Sequence, residues 1–155
     1  MNQTAIVDWL FALQLFQVLF LALHDWIPLG RLNDLTAVQN TNSFGDLVST
    51  TLVSTLPFAF GLFESGRYLA QAYPHWLLIW LWASYGLLFL GELQAWWIPY
   101  LLVPQPARAA RYEKMFGNTH AFLPTRNGIQ PNTLHIILHV VTLATLILLA
   151  ILTFG

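Results

Sequence analysis

Residues 133–154 read TLHIILHVVTLATLILLAILTF, a run without Asp, Glu, Lys or Arg. A helix needs about 20 mostly apolar residues to cross a hydrocarbon layer of roughly 30 Å, and this run supplies them. Residues 76–97, WLLIWLWASYGLLFLGELQAWW, repeat the pattern with Glu92 as the single charged side chain. Two further segments complete the set: residues 5–26, and the shorter, hydroxyl-rich residues 47–63 with Pro57 inside. In 155 residues there is too little interior to bury four such runs in a globule, so the pattern predicts a single polytopic membrane domain over residues 1–155. The expected fold is an all-α four-transmembrane-helix bundle with a long loop between helices 3 and 4, its outer surface facing the lipid bilayer. The second span, carrying Ser49, Thr50, Thr51, Ser54 and Thr55, is expected to pack inside.

Composition agrees. Charged residues make up only 8% of the chain against 57% hydrophobic, where a soluble domain carries about 25% charged. Six basic and seven acidic side chains nearly cancel, which argues against a nucleic-acid partner. Cysteine is absent, so disulfides, thiolate metal sites and cysteine nucleophiles are excluded. The first apolar run follows a start without Lys or Arg and precedes no small-x-small cleavage pattern, so it reads as a retained helix.

With four spans, the first and third connections share one side. They hold Arg31, Arg108, Arg111, Lys114 and Arg126, whereas the opposite side has only Arg67. The positive-inside rule therefore predicts that loops 1 and 3 are cytoplasmic and both termini lie across the membrane. Trp9, Trp26, Trp76, Trp96 and Trp97 fall near span ends, where aromatic belts form. Within the long loop, residues 107–116 suggest a short interfacial helix, followed by turn signals that include Asn127-Gly128. Arg31 with Asp34, and Glu64 with Arg67, are expected to form local ion pairs.

Polar residues in a span mark candidate sites, because burying them unpaired in hydrocarbon costs several kcal/mol, about 3 for a charge at the centre of a helix. Helical spacing groups Gln14, Gln17 and His24 on one face, Tyr85 with Glu92 on another, Asp46 with Thr50 and Ser54, and His135 with His139 and Thr142. If these stripes turn inward, they form a polar pocket near the basic end. Candidate ligand-binding residues are His24, Asp25, Tyr85 and Arg126, the last able to hold an anionic head group. Glu92 and His139 are the candidate catalytic pair, since a carboxylate withdrawn from water can act in acid–base chemistry or relay a proton. Two imidazoles one turn apart suit a divalent metal, which makes His135, His139 and His120 the candidate metal ligands, and His24 with His139 an axial pair for haem b.

Two functions follow from this pocket. One is a binding or transport component that holds an ion, a proton or a lipid-like small molecule, within a homo-oligomer or a larger membrane complex. The other is a metal- or haem-dependent membrane enzyme acting on an amphiphilic substrate. In the first, the polar stripe binds or holds helices together; in the second, it carries turnover.

Overall fold

The computed structural model describes residues 2–155, and every regular element among them is helical. Four helices are long and apolar enough to cross a membrane: α1 (Gln3–Leu23), α3 (Phe44–Arg67), α4 (His75–Glu92) with its continuation to Leu101, and α7 (Thr133–Phe154). Three shorter helices lie between them: α2 (Leu35–Thr41), α5 (Ile98–Leu101) and α6 (Pro106–Phe116). A π-helical turn, Leu93–Trp97, joins α4 to α5 without interrupting the rod.

Four of the helices begin where a side chain accepts from their free N–H groups, and two begin at a proline. Asn2 accepts from Thr4 N, Asp34 from Ala37 N and Asn132 from His135 N. Ser43 and Asp46 close a reciprocal capping box on α3. Pro74 precedes α4, and Pro106 opens α6, where its missing N–H costs nothing.

Side-chain pairs fix how the long helices run. Trp26 meets Thr51 and Gln14 meets Ser65, so α1 and α3 are antiparallel. Phe58 with Tyr85 and Phe60 with Trp76 place α3 against α4 in the same sense. A β-carbon at Gly61 would lie 3.0 Å from Leu81 Cδ2, so a larger residue there requires the Leu81 side chain to give way. Trp82 with Thr153 and Trp97 with His139 run α4 against α7, and His24 with His135 closes the ring between α7 and α1.

The structure moves several expected boundaries. α1 ends at Leu23, and His24 to Trp26 form a turn; α3 runs from Phe44 to Arg67, well beyond residues 47–63; the third long helix reaches Leu101. The first connection contains α2, which the sequence reading did not anticipate, and the third contains α6 close to the expected residues 107–116. α3 is not the inward helix. It is the least buried of the four, and Ser49 and Ser54 bond back to the carbonyls of Asp46 and Thr51, which satisfies their hydroxyls within the helix and leaves Ser49 exposed and Ser54 half-buried. Glu64 and Arg67 pair at 3.1 Å as expected. Arg31 and Asp34 do not, because Asp34 caps α2 and accepts from Asn118.

Burial is inverted relative to a water-soluble protein. Val53, Leu87 and Val140 are 75%, 70% and 61% exposed, whereas Gln14, Gln17, Thr142 and Thr145 are fully buried and Glu92 is 5% exposed.

Candidate functional site

One polar region lies inside the ring of long helices and a second at its end. The deeper is a cage around Thr142 of α7. Its hydroxyl lies 3.2 Å from Gln17 Oε1, 2.8 Å from Glu92 Oε1 and 3.0 Å from the Leu138 carbonyl. Gln17 donates through Nε2 to Thr145 Oγ1 at 2.8 Å and to the Leu13 carbonyl at 3.2 Å, which fixes which end of its amide faces Thr142. One hydroxyl proton therefore faces three acceptors. With a proton on Glu92, the carboxyl donates to the threonine oxygen and the hydroxyl donates onward to Gln17 or Leu138. Without it, the hydroxyl serves the carboxylate alone. The same side chains thus accommodate two hydrogen-bond patterns that differ by one proton. Glu92 Oε2 is buried without a partner, as are Tyr85 Oη and Gln14 Nε2, although Gln14 Oε1 accepts from Ser65.

The second region is a chamber at the end where α1 and α4 finish and α3 and α7 begin. A cavity of about 180 Å³ lies between His24, Asp25, Asp46, Thr50, Arg111 and His135. His24 donates through Nδ1 to the Phe20 carbonyl at 2.9 Å, leaving Nε2 3.4 Å from Asp25. His135 Nδ1 lies 2.6 Å from Asn132 Oδ1, an oxygen that also caps the helix, so this ring carries its hydrogen on Nδ1. His139 is held the other way: the Trp97 indole, which can only donate, gives its N–H to Nδ1 at 3.1 Å.

The π turn explains how adjacent tryptophans reach neighbouring histidines. Trp96 lies 4.5 Å from the His135 ring and Trp97 5.9 Å from that of His139. The widened turn also leaves carbonyls for α6 to use: Arg108 donates to the oxygens of Gln94 and Ala95, and Tyr112 to that of Ala95. Burial raises the Tyr112 hydroxyl above its ordinary pKa of 10.0, with Arg108 and Arg111 pulling partly back. α6 is thereby clamped over the chamber, and Arg111 extends from it to Asn42 of the α2–α3 corner at 2.8 Å.

Beyond α6 the chain turns sharply at Asn127-Gly128, both with positive φ, and Arg126 and Ile129 exchange backbone hydrogen bonds. The fully buried Ile129 is thereby pressed into the cluster of Trp96 and Tyr100.

The expected stripes are largely brought together, with His24, Asp25 and His135 at the chamber and Glu92, Gln17 and Thr142 in the cage. Tyr85 is buried against Phe58 and lines neither. Arg126 sits 5.8 Å over the Tyr100 ring, away from the chamber. The expected metal set of His135, His139 and His120 is not assembled: His120 is exposed and bonded to Thr133, and each of the other rings is turned to its own partner. Among the described residues no group of three or more His, Asp or Glu is placed to hold a metal ion. The axial pair expected for haem b, His24 and His139, has the ring of His135 between them, 6.2 Å from His24 and 6.4 Å from His139.

Arg111, Asn42, Thr145 and Ser65 were not singled out from sequence. Ser65 was masked by ending the second span at Phe63, and the Ser43–Asp46 capping box was the signal for the true start of that helix. Below the chamber an apolar groove of about 340 Å³ runs between α1 and α7, bordered by Phe16, Leu19, Leu23, Leu134 and Ile137 and reaching His24. A comparison with protein-family models, with curated proteins and with solved structures finds no match.

Proposed function

We propose that this chain is an integral membrane protein whose four long helices cross the bilayer as an antiparallel bundle and bind a lipid-like molecule, head group in the chamber and chain along the α1–α7 groove. The inverted burial supports insertion: large aliphatic side chains face outward along all four helices while Gln14, Gln17, Thr142 and Thr145 are turned inward, the arrangement a hydrocarbon solvent selects. The basic residues around α6 support placing the chamber on the cytoplasmic side, with both termini opposite.

The observation that carries the ligand reading is that the polar chamber and the apolar groove meet at His24. An amphiphile needs such a junction, where a desolvated chain passes directly into a site offering charge and hydrogen bonds. The test is lipid extraction and mass spectrometry on protein purified in mild detergent, beside a Leu23→Trp variant that fills the groove. A stoichiometric amphiphile in the parent that is depleted in the folded variant supports the reading. Equal retention in both, or none in either, refutes it.

A further inference from the structure

The chamber holds a guanidinium and two carboxylates that do not pair with each other. Arg111 uses one N–H on Asn42 Oδ1 and has no carboxylate within 4.0 Å, the only ion pairs among the described residues being His24–Asp25 and Glu64–Arg67. Asp46 commits Oδ2 to the Ser43 hydroxyl at 2.7 Å, while no hydrogen bond among the described residues engages its Oδ1. Asp25 has only the His24 ring, at 3.4 Å. Two carboxylates and a guanidinium therefore face one cavity of about 180 Å³ with donor and acceptor capacity unused.

Resting on the lipid-binding reading above, we propose that the chamber is a seat for a zwitterionic head group of the phosphoethanolamine type, its phosphate on Arg111 and its primary ammonium between Asp25 and Asp46. A guanidinium takes a phosphate through two parallel N–H bonds, and an ammonium supplies three N–H donors to carboxylates. An anionic head group without an ammonium leaves both carboxylates unanswered and adds charge of their own sign. A choline head group has the charge but no N–H to give. The seat thus discriminates on donor count as well as on charge.

The experiment is native mass spectrometry of the full chain released from detergent, with an equimolar mixture of phosphatidylethanolamine, phosphatidylcholine and phosphatidylglycerol of identical acyl chains. The expected result is retention of the ethanolamine lipid about tenfold above either competitor, the factor that a single charge-assisted hydrogen bond supplies. Asp25→Asn should reduce the preference over the choline lipid to about threefold or less, and Arg111→Gln should weaken all three phospholipids about tenfold. The comparison on the unsubstituted protein decides the matter even if a variant does not fold.

Equal retention of the three lipids overturns the zwitterion seat and leaves lipid binding standing, and a preference for the glycerol lipid overturns it too. Binding of free O-phosphoethanolamine with no lipid retained upholds the seat while overturning the lipid reading. Retention of no lipid together with no binding of the free head group overturns both.

Discussion

Replacing Thr142 by valine keeps the shape of a fully buried side chain and removes only the hydroxyl at the centre of the cage. Gln17 Oε1 and Glu92 Oε1 then lose their shared donor, and Glu92 Oε2 already has none. A buried acceptor left without a partner costs about 1–3 kcal/mol, whereas interhelical hydrogen bonds in membrane proteins average only about 0.6 kcal/mol, because the unfolded chain in lipid finds other partners. The hydroxyl has one proton to give and one oxygen to offer. Its loss strands one acceptor and, when Glu92 is protonated, also the carboxyl O–H, which between these limits gives an expected loss of about 2 kcal/mol. Reversible denaturation in mixed micelles, followed by fluorescence of the seven tryptophans, measures it. Thr142→Ser, which keeps the hydroxyl and loses a methyl group, should cost about 1 kcal/mol. In a Glu92→Leu background the valine substitution should cost distinctly less than in the parent, since one stranded partner is gone. If Thr142→Val costs under about 0.5 kcal/mol, or the same in both backgrounds, the hydroxyl does not hold the cage together and the reasoning fails.

Two further outcomes test the cover of the chamber. Ile129→Ala removes a fully buried side chain from the Trp96–Tyr100 cluster and should cost about 2–5 kcal/mol of local stability, read as faster proteolysis of the segment between α6 and α7; unchanged cleavage would mean that Ile129 does not anchor it. Burial raises Tyr112 above 10.0, so it remains neutral in the folded protein where the unfolded chain ionises. Its contribution to stability is complete below pH 10.0 and declines as pH rises from there through the higher folded value. An alkaline denaturation curve should show that decline, and Tyr112→Phe should flatten it; identical curves would contradict the burial argument.

The four long helices were legible because hydrophobic runs without charge leave few alternatives, and TLHIILHVVTLATLILLAILTF forms α7 end to end. The inward stripes were legible for the same reason: on helices otherwise covered with apolar side chains, Gln14, Gln17, Glu92 and Thr142 share the faces that turn inward. What escaped was anything set by local chemistry rather than by periodicity. α2 has only seven residues, too few for a periodic signal, and its start rests on Asp34 as a cap. The hydroxyls of α3 suggested an inward helix because back-bonding to carbonyls, which satisfies Ser49 and Ser54 within the helix, leaves no mark in a list of residue types. The histidine spacing suggested a shared metal, yet ring orientation follows the nearest donor or acceptor, here Trp97 and Asn132. Arg111 reached the chamber because α6 folds back across the end of the molecule, a path that no span count contains.

The ring of helices closes through its last member, and this gives the protein a history during synthesis. Until α7 emerges, Glu92 and Gln17 have no Thr142, Gln17 has no Thr145, and the three earlier helices hold a carboxyl and an amide in need of partners. The cover waits on the same event, because His120 takes the Arg31 carbonyl through its N–H and gives its own carbonyl to Thr133, the first residue of α7. Docking of α7 therefore both satisfies the interior and anchors the segment that follows α6. A chain that ends before residue 133 lacks α7 and leaves Glu92 and Gln17 without these partners, and under the proposed insertion those polar groups would meet lipid.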